Sequence, residues 1–146
     1  MNKELSKLMN DYLANVGVMY IKLHNLHWNV KGKQFKAVHE YLETLYDAMA
    51  EVLDSVAESL KMEGEMPLAS MKDYLKAASI HELKSSEIGV DEALDSVLAD
   101  MEILKEQAEA IRAEADKSDC YNVVSMMEDD LGDYKKNIWF IKSMLK

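Results

Sequence analysis

The sequence predicts an all-α protein, a four-helix bundle with one long connection that contains a short helix. Apolar residues recur every three or four positions along four long stretches, which is typical of helices packed on one face. The chain has 146 residues with five glycines and one proline, so little interrupts long helices. Residues 64–89 separate the second stretch from the third and are too many for a plain bundle turn. We expect a single domain over residues 1–146.

The first helix is predicted over residues 4–30. His27 lies within its apolar stripe and His24 at the edge of that stripe, and Gly32 is expected to stop the helix. A histidine on an apolar face is usually a core residue, and that interpretation of His27 stays open beside the functional one. The members of the stripe are Leu5, Leu8, Met9, Tyr12, Val16, Met19, Tyr20, Leu23, Leu26 and Val30.

The second helix, predicted over residues 35–63, has two distinct faces. With His39 at zero and about 100° per residue, one face at roughly 220–340° is apolar, and it predicts contact with a core. The opposite face, at roughly 0–120°, carries one imidazole and five carboxylates. These are His39, Glu43, Asp47, Glu51, Asp54 and Glu58. A solvated acidic surface is the alternative interpretation of this face.

The remaining elements follow in order. Ser70 is placed to cap a short helix over 70–78, and the third and fourth helices are predicted over 90–117 and 120–145. His81 falls in a polar stretch that predicts an exposed loop, and no strand is predicted. This order matches a ferritin-like four-helix bundle, in which one crossover joins two helix pairs.

Charge and composition exclude several classes of protein. The net charge of −10 argues against a general nucleic-acid surface. The single cysteine, Cys120, cannot form an internal disulfide, which fits a reducing compartment. No signal peptide and no run of 18 apolar residues is found, so we expect a cytoplasmic protein with no membrane span.

The acidic face of the second helix predicts a metal site shared by two subunits. His39/Glu43 and Asp54/Glu58 are pairs at i,i+4, and each pair points one way. Glu43 and Asp54 lie roughly 16 Å apart along the axis, too far to bind one ion. Two antiparallel copies related by a two-fold axis would bring the pairs together, and His27 could join the histidine half. Such a set suits Fe(II), with Mn(II), Co(II) or Zn(II) as alternatives.

The pattern around this site resembles the signature of the Dps miniferritins, the DNA-protecting proteins of starved bacterial cells. The resemblance rests on His27-Trp28-Asn29-Val30-Lys31-Gly32, Phe35, His39-Glu40, Leu45-Tyr46 and Asp54-x-x-Ala57-Glu58, and it extends over the whole chain through Pro67 and Trp139. It implies a homododecameric shell that oxidises Fe(II) with hydrogen peroxide or O₂ and stores ferric oxide. The ferroxidase ligands it implies are His27, His39 and Glu43 from one subunit with Asp54 and Glu58 from its partner.

Three departures from the family pattern are visible. Ser59 stands where an arginine is common, Glu43 stands where an aspartate is common, and only three residues precede the first helix, where many members carry a lysine-rich tail. A DNA-compacting structural protein is the alternative function, although the small number of clustered lysines and the net charge of −10 count against it. A bundle without chemistry is a third alternative. Trp28 could donate electrons to the site or simply pack. Asp116, Asp119, Asp129 and Asp130 are expected to line acidic channels, with a solvated charge run at a helix N-terminus as the alternative interpretation.

Overall fold

The computed structural model describes all of residues 1–146, and it is an all-α bundle of four long helices and one short one. The elements in chain order are α1 (Lys3–Asn29), β1 (Val30–Lys31), α2 (Phe35–Met62), α3 (Met71–Ala77), β2 (Ile88–Gly89), α4 (Val90–Lys117) and α5 (Tyr121–Leu145). The predicted bundle and the short helix in the crossover are confirmed. No helix combines the length and the apolar character that a membrane span requires.

The prediction that the chain contains no strand is wrong in one detail. Two strands of two residues each, one between α1 and α2 and the other at the end of the crossover, pair in parallel. Val30 pairs with Ile88, and Lys31 pairs with Gly89. Because β1 leads into α2 and β2 leads into α4, the parallel pairing starts both helices at the same end of the bundle. The crossover must therefore run back along the molecule, which explains its length. Segments this short carry no periodicity that a sequence pattern could reveal.

Local signals set the ends of the elements around the crossover. Gly64, at φ 81°, ends α2. Its amide donates a hydrogen bond to the Lys61 carbonyl, and the Glu65 amide donates to the Leu60 carbonyl. This paired arrangement needs a left-handed residue, which glycine adopts without steric cost. Ser70 then caps α3, because its hydroxyl accepts the Asp73 amide at 3.2 Å. Both predicted boundaries are confirmed.

The core lies between the four long helices, where the predicted stripes meet. On α2, Leu42, Leu45 and Met49 are buried, and so are Val56 and Leu60 further along. The acidic face of the same helix points away from this core, since Glu43, Asp47, Glu51, Asp54 and Glu58 are all exposed. The two-faced character predicted for α2 is therefore confirmed, and it leaves the carboxylates on the outside of the subunit.

Three asparagines on α1 hold the long crossover against the bundle. Asn10 accepts the Leu68 amide at 2.8 Å, and Asn25 donates to the carbonyls of Leu83 and Lys84. The most buried of the three, Asn15, accepts two backbone amides and donates to two side chains. Its partners are the amides of Ser79 and Ile80, the Ser79 hydroxyl and the Gln107 side chain. The three asparagines thus satisfy backbone groups of the crossover that would otherwise lack partners.

Charged and phenolic groups enter the core at two places. Lys22 and Asp100 form an ion pair at 2.6 Å between α1 and α4, and both side chains are buried.

Asp130 accepts a hydrogen bond from the Tyr12 hydroxyl at 2.8 Å, and the Tyr134 hydroxyl forms a hydrogen bond with Tyr12 in turn. Asp130 therefore faces the core of its own subunit, which corrects the expectation that it lines an acidic channel with its neighbours. Asp130 lies on the buried face of α5 because it is three residues after Met127 and four before Tyr134, and both of these side chains are buried.

Candidate metal centre

The two histidines predicted to act together meet at the end of α1 and the start of α2. The rings of His27 and His39 are stacked, with centroids 3.7 Å apart and planes within 12°. They come from different helices and are separated by twelve residues of chain, so the packing of α1 against α2 creates the contact. His27 is buried and His39 half-buried.

A reciprocal pair of hydrogen bonds locks both rings. His27 Nδ1 donates to the His39 backbone carbonyl at 2.6 Å, and His39 Nδ1 donates to the His27 carbonyl at 2.6 Å. A carbonyl oxygen can only accept, so each Nδ1 must carry the proton. In the neutral rings each Nε2 therefore keeps its lone pair, which is the form that binds a metal. Backbone carbonyls hold metal-binding histidines in this way in many proteins.

Glu43 is a carboxylate of the same chain that lies beside the ring of His27. Its Oε1 is 3.8 Å from His27 Nε2, and the side chain is more than half exposed. The distance exceeds that of a hydrogen bond, and both atoms are of the kind that coordinates a transition metal. Glu43 thus extends the histidine pair toward the outer surface of α2.

Asp54 and Glu58 form a second, separate group on the exposed face of α2. A hydrogen bond to Asp54, together with the charge of Asp54, raises the pKa of the Glu58 carboxyl. The physical cause is that two carboxylates one helical turn apart repel each other, and a shared proton relieves the repulsion. A bound cation would relieve it equally well.

The single chain does not bring the five predicted residues together. His27, His39 and Glu43 lie at one place, and Asp54 and Glu58 lie roughly 16 Å further along α2 by the helical rise. Within one chain no group of three or more histidine, cysteine, aspartate or glutamate side chains is placed to hold a metal ion. Each half of the predicted ligand set is therefore present, and each is incomplete by itself.

The sequence interpretation missed an aromatic cluster that surrounds the histidines. The Tyr46 ring stacks on the His24 ring with centroids 3.8 Å apart, and it meets the His27 ring edge-on with centroids 5.3 Å apart. Phe35 covers the other side of the pair, stacked on His39 at 5.0 Å. Burial, followed by the charges of Glu43 and Asp47, raises the pKa of the Tyr46 phenol.

A signal for this cluster is present in the sequence. Tyr20, His24 and Trp28 follow one another at four-residue intervals on α1, which places them along one side of the helix. Tyr20 contacts both His24 and Tyr46, and Trp28 contacts His24 at 5.4 Å. The indole of Trp28 is 68 % exposed, so it packs on the cluster at the surface of the subunit and not in the core.

The family whose profile matches the chain is the Ferritin-like domain, over residues 6–146. The DNA protection during starvation protein 2 of Bacillus anthracis is 31 % identical over 145 residues, which cover 99 % of each chain. The match therefore extends through all the elements described above, the crossover included.

Two solved structures have the same fold over nearly their whole length. The crystal structure of antigen TpF1 from Treponema pallidum gives a TM-score of 0.96 at 35 % identity and covers 98 % of this chain and 92 % of that one. The second is a Dps protein from Vibrio cholerae O1, described as a member of a broad superfamily of ferritin-like diiron-carboxylate proteins. It gives a TM-score of 0.94 at 28 % identity and covers 99 % of this chain and 90 % of that one.

Proposed function

Because the chain belongs to the Dps family of ferritin-like proteins, we propose that it stores iron and protects against oxidative damage by oxidising Fe(II) at sites between subunits. Hydrogen peroxide or O₂ is the oxidant, and ferric oxide collects inside a shell of twelve subunits. The observation that carries the proposal is the pair of His27 and His39, whose locked rings each leave Nε2 free to bind a metal.

The donor set of the two halves fits iron. Imidazole nitrogen and carboxylate oxygen together are ligands of intermediate hardness, which suit Fe(II). His27, His39 and Glu43 supply one half, and Asp54 and Glu58 of a partner subunit supply the other. A cation at this place would neutralise carboxylates that repel each other on the bare helix. Fe(II) is the substrate of the reaction, and the ferric product is the stored material.

The exposed position of the acidic face of α2 supports the proposal on geometric grounds. An isologous interface repeats the same contact twice, so two antiparallel copies of α2 would create two equal sites. The carboxylate ligands Glu43, Asp54 and Glu58 lie on the exposed face of α2, which is the face available to a partner subunit. The small side chains of Ala50 and Ala57 lie on the same face and permit a close approach of the helices.

Complementation between two inactive variants tests whether the site is shared. One variant carries His27→Gln and His39→Gln, and the other carries Asp54→Asn and Glu58→Gln. Each homogeneous shell should fail to oxidise Fe(II), because every site lacks one half. Coexpressed with different tags and purified through both, the mixed shells should regain roughly a quarter of wild-type activity, since half of random pairs are mixed and each restores one of two sites.

The matched control is Asp47→Asn with Glu51→Gln, which removes the same charge from the same face of α2 without touching a proposed ligand. Its first-turnover Fe(II) oxidation should equal that of the wild type. Native mass must show that all shells assemble. Mixed shells that remain inactive despite correct assembly would place the site within one subunit and overturn the proposal.

A further inference from the structure

Three of the eleven methionines are largely exposed, and they lie in one short stretch from the end of α2 to the start of α3. The exposed fractions are 74 % for Met62, 73 % for Met66 and 65 % for Met71. Five other methionines are buried in the core, namely Met9, Met19, Met49, Met101 and Met127. The thioethers of the short stretch, unlike those of the core, are therefore open to reagents in solution.

Met62 is the last residue of α2 and continues the acidic face of that helix. It follows Glu58 by four residues, as Glu58 follows Asp54, so the three side chains lie one above another. Neighbours at this spacing have their Cβ atoms about 5–6 Å apart. The thioether of Met62 thus lies beside the carboxylate half of the proposed iron site.

Met66 is as exposed as Met62 but lies on another part of the surface. The chain turns at Gly64, and the Met66 carbonyl accepts a hydrogen bond from the Asn10 side chain at 3.3 Å. This bond holds the segment against α1, which is not part of the acidic face of α2. The two methionines therefore share residue type and exposure, and they differ in their position relative to the proposed ligands.

We propose that Met62 is an oxidation site, at which the thioether becomes a sulfoxide by consuming hydrogen peroxide that is activated at the neighbouring iron site. This inference rests on the iron oxidation at shared sites proposed above. It adds a sacrificial residue, which is not a ligand, to that site. Because dedicated reductases return methionine sulfoxide to methionine, such a residue can serve repeatedly.

The step balances with peroxide as the oxidant. The O–O bond of hydrogen peroxide breaks, one oxygen atom forms a bond to the Met62 sulfur, and the other leaves as water with both hydrogen atoms. The sulfur loses two electrons, and the peroxide gains them. Iron at the site acts as a Lewis acid that draws peroxide to this place and polarises it, and the iron is not consumed in this step.

The position of Met62 favours a protective role. In the proposed antiparallel pairing, the end of one α2 lies beside the start of α2 of its partner, so Met62 would lie at the rim of the completed site. Oxidation of a ligand side chain would destroy the site. Oxidation of a flexible thioether at the rim removes no ligand, and the oxidant is consumed before it reaches one.

The test measures which methionine is oxidised in the assembled full-length protein. One sample is loaded anaerobically with Fe(II) and treated with excess hydrogen peroxide, and a second receives peroxide without iron. Peptide mass spectrometry gives the sulfoxide fractions at Met62 and Met66, and iron should raise the ratio of the first to the second several-fold. In the variant Asp54→Asn with Glu58→Gln, the ratio should be the same with and without iron, because the carboxylate half no longer holds the metal.

Repeated additions of Fe(II) and peroxide measure the protection itself. Met62→Leu keeps an apolar side chain of similar volume and removes only the oxidisable sulfur. Its rate of Fe(II) oxidation, relative to its own first addition, should decline several-fold faster than that of the wild type. The matched control Met66→Leu removes an equally exposed thioether away from the site and should decline as the wild type does.

The outcomes separate this inference from the proposed function. If the wild type oxidises Fe(II) but iron leaves the sulfoxide ratio unchanged, Met62 only covers surface, this inference is wrong and the iron chemistry stands. A ratio that rises equally in the carboxylate variant would place the oxidant elsewhere, and an equal decline of Met62→Leu and the wild type would contradict the protection. If the wild type does not oxidise Fe(II), the proposed function fails and this inference fails with it.

Discussion

At the scale of single residues, Asp130 is a carboxylate that lies in the core, where an acidic side chain is seldom found. Its carboxylate is buried among helices α1 and α5 and accepts the hydroxyl of Tyr12. Burial raises the pKa of Asp130 to about 6, against an ordinary value of 3.8, and the Tyr12 hydrogen bond only partly offsets this. The folded protein therefore holds a proton at Asp130 that the unfolded chain releases near pH 4.

The stability of the protein should consequently fall as pH rises through this range. The contribution of Asp130 is complete below pH 3.8 and is lost as pH rises through about 6. A pKa difference of this size corresponds to about 3 kcal/mol of unfolding free energy. Asp130→Asn keeps an acceptor for Tyr12 but does not titrate, so its melting temperature relative to the wild type should increase between pH 4 and pH 7.

The control for this prediction is Asp95→Asn, which makes the same substitution at an exposed aspartate of α4 whose charge does not contribute to the pKa shift of Asp130. Its melting temperature should follow that of the wild type at a constant offset across the same range. Parallel profiles for Asp130→Asn and the wild type would show that burial does not shift this group.

At the scale of elements, α1 organises the rest of the chain. It packs against α2, α3 and α4, it supplies the three asparagines that hold the crossover, and it carries His27. The short α3 rests on it at Gly17, where a Cβ atom would come within 2.6 Å of the Tyr74 ring. The position of the crossover thus depends on small and polar residues of one helix.

Asn15→Ala should release the middle of the crossover. The substitution removes the acceptor of the Ser79 and Ile80 amides and leaves buried polar groups without partners, at a cost of about 2–4 kcal/mol of unfolding free energy. Hydrogen exchange measured by mass spectrometry should show faster exchange in residues 79–80. Asn122→Ala, at an exposed position of α5, should leave exchange there unchanged. Equal protection in both variants would mean that the asparagine does not hold the segment.

Two glycine-to-alanine substitutions should change stability in opposite directions. Gly17→Ala places a methyl group against the Tyr74 ring, so α3 must move and the melting temperature should fall. Gly132→Ala on α5 meets nothing within 4 Å, so the better helix propensity of alanine should raise stability by about 0.5–1 kcal/mol. Thermal unfolding of both variants measures the difference, and a stabilising Gly17→Ala would contradict the close packing seen at α3.

At the scale of the whole molecule, the charge distribution argues against DNA as a partner. The net charge is −10, and the exposed lysines near the start of α2 number only three, Lys31, Lys33 and Lys36. Duplex binding requires a cluster of cations large enough to displace counterions. We therefore predict no retardation of duplex DNA at sub-micromolar protein in about 0.1–0.15 M salt, near neutral pH. A retarded complex under these conditions would restore the DNA-compacting alternative.

The incompleteness of the metal centre in one subunit predicts an assembly. Exposed apolar side chains on the outside of α1 and α3, among them Ile21, Met71 and Leu75, also favour contact with further copies. We expect native mass spectrometry at micromolar concentration to give the mass of twelve subunits. A mass of one or two subunits would contradict the shell, and a mass of twenty-four would contradict its size.

The helices, their order and the two faces of α2 follow from the amino-acid sequence alone. These features repeat along the chain, so periodicity reveals them, and local residues such as Gly64 and Ser70 set the ends. The separation of Glu43 from Asp54, which prevents them from binding one ion within a helix, also follows from the sequence, because it depends only on the helical rise. The five ligand residues remain a prediction, since a single chain holds only their separate halves.

The meeting of residues from different helices depends instead on tertiary packing. The stacking of His27 on His39, their exchanged hydrogen bonds and the ring contacts of Tyr46 all require α1 to pack against α2 in one particular way. The burial of Asp130 and the pairing of β1 with β2 likewise join segments far apart in the chain. A helical pattern specifies which face is apolar but not which side chain of the next helix it will touch, because that choice is made by close packing of the whole core.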